Sequence, residues 1–220
     1  MAKVQTTSAG VTIPARQRVR PAAADSAHWR EALPILSSAS ATLREPVDSD
    51  ARSLLTALPD DALVQIVADP PPVSVAGIEH LIQTLHGQRR AGLMACWAVV
   101  PADIDAPVGL IGVRAMDHAC SMVEGFGVIA EEFRGTSLFQ SAGRLLLSGL
   151  FGQMGVHRAE FRIDVRNGRA NGAMRKLGAT HEGLLRRARA QDGQLLDQVL
   201  WAIIATDWSD FGVTRTSSVH

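Results

Sequence analysis

Two stretches hold residues whose types and spacing could do chemistry. The first is Phe133-Arg134-Gly135-Thr136-Ser137-Leu138-Phe139, set between an apolar, strand-like run and a long helical pattern. A strand that gives way to a helix through an Arg-Gly turn exposes the helix's unpaired backbone N–H groups, and the helix dipole adds positive potential there. Such a turn makes an anion site suited to a pyrophosphate. The same residues also fit an ordinary strand–helix turn in which Gly135 relieves strain. The second stretch is Ser121-Met122-Val123-Glu124-Gly125-Phe126-Gly127, where one carboxylate interrupts an apolar strand. Apolar surroundings are where a carboxylate becomes an effective proton acceptor. An edge position or a solvent-facing Glu124 is the alternative. Glu160 and Asp164 are weaker candidates for the same role, and Asp164 better suits the turn into the following helix.

The remaining reactive residue types read as structural. His80 and His86 are six apart on a helical pattern and do not share a face, and no H-E-x-x-H motif exists, so no metal site is expected. His157 and His181 stand at strand entrances. Cys96 and Cys120 lie beside strands and read as small hydrophobes with free thiols, in keeping with a reducing, cytoplasmic setting. Arg186-Arg187-Ala188-Arg189 is a basic strand segment that either meets phosphates or an acidic substrate, or is a solvated face.

These residues must be held by elements, and the periodicities supply them. Ala41–Arg44 reads as a strand closed by Pro46. Asp48 or Ser49 caps a helix with Ala51, Leu54, Leu55 and Leu58 on one face. Pro59 and Pro70-Pro71-Pro72 punctuate the stretch between this helix and the next. Ser74 caps a second helix with Ile78, Leu81, Ile82 and Leu85 as its stripe, ended near Gly87 or Gly92. Three strands come next at 93–100, 108–116 and 122–129, the first two joined as an antiparallel hairpin. A third helix spans 137–154, with Leu138, Ala142, Leu145, Leu146, Gly149 and Leu150 inward. After it stand a strand over 158–164 and a short helix from Asn167 to Gly178. Strands at 181–190 and 198–205 flank Asp192-Gly193, a strong hairpin signal. The expected order, β-α-α-β-β-β-α-β-α-β-β, is α/β: a mixed, largely antiparallel sheet of about seven strands with about four helices. It is not the strict alternation of a doubly wound fold.

Composition bounds the class. The chain has 220 residues, 46% hydrophobic and 20% charged, which is ordinary for a globular protein. Lys+Arg and Asp+Glu both total 22, so net charge argues for neither nucleic-acid nor membrane attraction. No apolar run approaches the ~20 residues that cross a bilayer. Residues 1–38 mix Ala, Ser, Thr, Pro and Arg without period and read as a flexible N-terminal extension, with Trp29, Leu33, Ile35 and Leu36 able to dock its end. Residues 39–208 form the domain, and 209–220 a C-terminal tail.

The element order, the Arg-Gly turn and the block Asp164-Val165-Arg166-Asn167-Gly168-Arg169-Ala170-Asn171 resemble the GNAT acetyltransferase superfamily. Arg175-Lys176-Leu177-Gly178-Ala179, Glu182-Gly183 and Arg186 extend the likeness. The branch resembled is the ribosomal-protein-alanine N-acetyltransferase (RimJ/RimL-like) group, where D-x-x-N-x-x-S/A-N, K-L-G and E-G-x-x-R segments succeed one another at this spacing. The likeness covers residues 38–208 and implies a GNAT fold with bound acetyl-coenzyme A and no metal. It implies that the pyrophosphate lies on the amides of Gly135, Thr136, Ser137, Leu138 and Phe139, beside Arg134. The pantetheine arm would pair like an extra strand in a splay between 122–129 and 158–164. Asn167 would bond that arm or an ordered water, and so joins Glu124 in the catalytic set. The family turn has small Gly or Ala where Ser137 and Phe139 stand. Many relatives use a Tyr as general acid, and this chain has none; some use a Ser where Ala170 stands, so Asn171 or water is left for that role. The implied reaction is direct transfer of acetyl to a primary amine, of a protein N-terminus or a small molecule, with a homodimer left open. A degenerate domain that binds acyl-coenzyme A or a partner without catalysis is the rival reading.

Overall fold

The computed structural model describes residues 28–58, 72–191 and 193–208. One eight-stranded sheet organises them: β1 (Leu36–Ser37), β2 (Ala41–Arg44), β3 (Met94–Pro101), β4 (Gly109–Ala115), β5 (Met122–Ile129), β6 (Arg158–Asp164), β7 (Thr180–Gln191) and β8 (Gln194–Ile204). Their order across the sheet is β1-β2-β3-β4-β5-β6-β8-β7. Among the described residues five helices accompany the sheet: α1 (Ala51–Ala57), α2 (Val75–Arg90), α3 (Leu138–Gly152), α4 (Gly168–Lys176) and α5 (Ala205–Trp208). The expected order is present, with the two-residue β1 added before it and the one-turn α5 after it.

Both faces of the sheet are covered, which explains why β3, Met94-Ala95-Cys96-Trp97-Ala98-Val99, is apolar without interruption. Ala95, Trp97 and Val99 join the core under α3, with Leu138, Ala142, Leu146, Leu147 and Leu150. Met94, Cys96 and Ala98 join a second core under α1 and α2, with Leu54, Ile78, Ile82 and Leu85. Ser74 caps α2 as its type requires, its Oγ accepting the Gly77 N–H at 3.1 Å. The start of α1 differs from expectation. Residues 48–50 form a 3₁₀ turn, and Asp50 accepts the Val47 N–H at 2.8 Å while pairing with Arg44 at 2.7 Å. Asp50 therefore stands at the N-cap position of α1 in place of Asp48 or Ser49, but its carboxylate bonds back to Val47 and Arg44 and makes no cap hydrogen bond to the helix. Burial beside an arginine selects it.

Every neighbouring pair of strands is antiparallel except β5 and β6. These two pair in parallel through only three positions, Met122↔Arg158, Val123↔Ala159 and Glu124↔Glu160. Beyond Glu124 they part. Gly125 marks the vertex, because the Phe161 ring lies over it and a Cβ there would stand 2.1 Å from Phe161 Cε1. β8 starts at Gln194, four residues before the apolar pattern announces it, since it pairs with β7 through Gln191↔Gln194.

Of residues 1–38, expected to be an extension, 28–38 are described, and Trp29, Leu33 and Leu36 are buried while Ile35 is exposed. The Trp97 indole donates to the Pro34 carbonyl at 2.9 Å. Pro59, Pro70, Pro71 and the expected C-terminal tail lie outside the described residues.

Candidate active site

The chain after β5 passes through a 3₁₀ turn at Glu131–Phe133, then Arg134 and Gly135, into α3. Gly135 has φ +88, a conformation L side chains rarely adopt, so the Arg-Gly turn needs its glycine. The first-turn N–H groups of α3 have no intrahelical partner. Thr136 Oγ1 accepts that of Leu138 at 3.3 Å and donates to the Phe133 carbonyl at 2.7 Å, which pins the turn.

This turn forms one wall of a cleft of about 600 Å³. The separated end of β5 and the first turns of α4 form the others. Of the residues expected to hold a cofactor, Arg134, Gly135, Thr136, Phe139 and Asn167 line it, and Ser137, Leu138 and Asn171 do not. Leu138 is buried in the core beneath α3, so only its backbone remains with the turn. Asn171 is committed elsewhere. Its Nδ2 donates to the carbonyls of Asp164 and Asn167 at 3.0 and 2.9 Å, and its Oδ1 accepts the Trp201 indole N–H at 2.8 Å. Its carboxamide locks α4 to β6 and β8 instead of facing a ligand. Asn167 caps α4, its Oδ1 accepting the Ala170 N–H at 3.0 Å. Asp164 serves the turn, as its position suggested. It pairs with Arg166 at 2.9 Å, and the hydrogen bonds from that guanidinium hold its carboxyl below the usual range.

Three polar lining residues stand outside the expected set. Arg169 and Lys176 lie seven apart on α4 and so face the same way, and with Arg134 they line the cleft with three cations. That spacing was the available signal. Gln140 is the third. Its Nε2 donates to the Ala173 carbonyl at 3.1 Å, while its buried Oε1 has no partner. A ligand with an anionic end meets the three cations. A pyrophosphate on a pantetheine arm has this chemistry.

The other face of the vertex carries charges in alternation. Arg158, Glu160 and Arg162 of β6 lie beside Glu124 of β5 and Arg114 of β4. Glu160 is buried and accepts from Arg158 Nε at 2.8 Å. Arg158 also clasps Glu182 across β8, one bond at 2.9 Å and a second, shorter one to Oε2, and this holds the Glu182 carboxyl below its ordinary value. Glu124 is differently placed. Its side chain is 30% exposed, and its ion contact among the described residues is Arg162 Nε at 3.9 Å, beyond hydrogen-bond reach. It is neither in an apolar setting nor tied up. An accessible carboxylate beside a guanidinium, at the point where the strands part, can accept a proton from an incoming amine. Cys96 is fully enclosed and its thiol is pushed up to about 12, and burial raises Cys120 as well, so neither is a nucleophile at neutral pH.

A mixed sheet with one parallel pair that splays, a glycine turn into a long helix and a cationic cleft between them are the features the fold brings to one place. Residues 41–180 match the acetyltransferase (GNAT) domain family, and the chain belongs to it. It is therefore an acyltransferase. An uncharacterized N-acetyltransferase of Bacillus subtilis (strain 168), YoaA, is 24% identical over 174 residues, which span 78% of this chain and 97% of that protein. Among solved structures, RimJ of Mycobacterium smegmatis, in complex with a CoA-disulfide, is 22% identical with a TM-score of 0.65, covering 79% of this chain and 87% of that one. The ribosomal-protein-S5-alanine acetyltransferase of Vibrio fischeri is 16% identical with a TM-score of 0.66, covering 80% and 98%. At these identities the two structures speak for the fold. No helix among the described residues is long and apolar enough to cross a membrane.

Proposed function

We propose that this protein is an N-acetyltransferase that moves the acetyl group of acetyl-coenzyme A to a primary amine in a ternary complex. The observation that carries the reading is the parting of β5 and β6 after three residue pairs. It opens a cationic cleft toward α3 and α4 and leaves Glu124 at the vertex on the face toward α1 and α2. Acetyl-coenzyme A supplies the acetyl group as a thioester, whose C–S bond breaks as the C–N bond forms, leaving the free thiol. Arg134, Arg169 and Lys176 neutralise its phosphates, and the first-turn amides of α3 bond them. Asn167 lines the path between. Glu124 takes the proton that the amine must lose, and Arg162 keeps a positive charge beside the carboxylate.

The acceptor is a protein amine or a small-molecule amine. The Vibrio fischeri relative is named for an alanine of a ribosomal protein, which favours a protein amine for a chain of the same fold. Two buried free cysteines are in keeping with a cytoplasmic setting. A second reading, binding of acyl-coenzyme A without turnover, draws support from Phe139, whose ring stands against Gly127 in the cleft.

One experiment separates the two. Acetyl-coenzyme A binding is measured by titration, and thiol release is followed across a panel of amines and N-terminal peptides. Glu124→Gln keeps the shape and cannot accept the proton, so turnover falls about 10²–10⁴-fold while acetyl-coenzyme A affinity holds. Unchanged turnover in Glu124→Gln removes the residue from the mechanism. Binding without thiol release from any amine supports the second reading.

A further inference from the structure

A second, smaller cavity of about 70 Å³ lies on the α3 and α4 side of the sheet, where β5 and β6 part. Its walls are carbon: Phe139, Leu147, Phe161, Ile163, Met174 and Leu177. Gly127, Phe139 and Ala170 line both this cavity and the cleft, so the two spaces meet at a neck. Gly125 and Gly127 bring bare backbone to its edge, and the Phe161 ring over Gly125 forms one side. A dry apolar void favours an apolar guest over water, and a cavity of about 150 Å³ holds the six carbons of benzene. By proportion, about 70 Å³ has room for about three carbons.

We propose that this cavity receives the acyl chain of a thioester held in the cleft, so that propionyl and butyryl donors bind more tightly than acetyl. The inference rests on the reading of the cleft as a coenzyme A site. An acetyl group offers a single methyl beyond its carbonyl and leaves most of the void empty. Each further methylene replaces void by contact until the far wall is met. The neck lies at Gly127, three residues beyond Glu124 on β5, and the cavity runs back from it toward Gly125 and Phe161, where the strands part. A chain threaded through the neck points from the cleft toward the vertex.

Titration of the full chain with coenzyme A and with its acetyl, propionyl, butyryl and octanoyl thioesters tests this. The dissociation constant is expected to fall about fourfold per added methylene from acetyl to butyryl, and to rise again at octanoyl. Ile163→Phe fills the void and makes acetyl the tightest acyl donor, with affinity for coenzyme A itself unchanged. Phe161→Leu enlarges the void and moves the optimum to a longer chain. Equal affinities along the series, or affinities that climb steadily to octanoyl, overturn the inference. So does the same ranking in wild type and Ile163→Phe; should that variant not fold, an unmoved optimum in Phe161→Leu decides equally. Failure to bind coenzyme A itself overturns the reading of the cleft, a different result from binding with a flat ranking.

Discussion

Arg134 and Phe139 flank the same turn and carry opposite expectations. Arg134 Nε reaches the Ile129 carbonyl at 3.4 Å, which holds the guanidinium at the cleft wall. Charge-assisted hydrogen bonds contribute about 1.5–3 kcal/mol. Arg134→Glu, which adds repulsion, should therefore weaken coenzyme A binding by about 10–100-fold in a titration. Phe139 fills space near the phosphate turn, where its family has a small residue. Its Cε2 would lie 3.4 Å from a Cβ at Gly127, so the ring reaches across to β5. Phe139→Ala clears the neck and should leave coenzyme A affinity equal or better. If neither change alters the dissociation constant, the cofactor lies elsewhere.

At the scale of elements, an ion pair ties the strands beyond the vertex together in addition to their backbone pairing. β6, β8 and β7 lie side by side, and Arg158 on β6 reaches over β8 to Glu182 on β7. Because the arginine favours the ionised form, the Glu182 carboxyl titrates below its ordinary value in the folded protein. A depressed carboxyl contributes stability above its unfolded pKa and loses it as pH falls through the folded one. Wild type should therefore melt above Glu182→Gln at pH 7, and the gap should close as pH drops below the usual carboxylate range. The pair is partly exposed, so the gap at pH 7 should be about 1 kcal/mol or less, or about 2–4 °C. A gap that is the same at pH 7 and pH 2.5 would remove the ion pair as its cause. The bulge in the same hairpin is stabilised differently. Arg187 has φ +51, and its N–H donates to Asp197 Oδ1 at 2.8 Å.

At the scale of the whole molecule, we propose an N-terminal boundary earlier than the periodicity alone places it. Trp29 is 5% exposed, Leu33 and Leu36 pack in the same core, and the Arg89 guanidinium donates to the Arg30 carbonyl. We expect a chain starting at residue 28 to melt close to the full-length protein, and one starting at residue 39 to melt well below it. Trp29→Ala should lose about 3 kcal/mol and roughly 6–12 °C, because a buried indole leaves a cavity that its neighbours only partly close. Calorimetry of these proteins checks this, and equal melting points for the chains starting at 28 and 39 would return the boundary to residue 38.

What the sequence determined by itself was local. The 3.6-residue stripe of α2, its Ser74 cap, the extent of β5 and the glycine at the Arg-Gly turn all arise from neighbours a few residues apart, and each stands where its pattern put it. The element order, the Arg-Gly turn and the motif block from Asp164 to Arg186 together were enough to reach the family. Tertiary structure decided which of the site's residues are available. Asn171 and Asn167 share a motif and a helix, yet Trp201, thirty residues away, turns the first into a bolt between elements. Glu124 and Glu160 face each other across two strands, and Arg158 occupies the second while leaving the first accessible. Arg169 and Lys176 become part of the cleft only because α4 packs against α3 and faces the open end of β5 across it. Hydrogen bonding, burial and charge act through space between residues far apart in the chain, so no local pattern records which partner a polar side chain will meet.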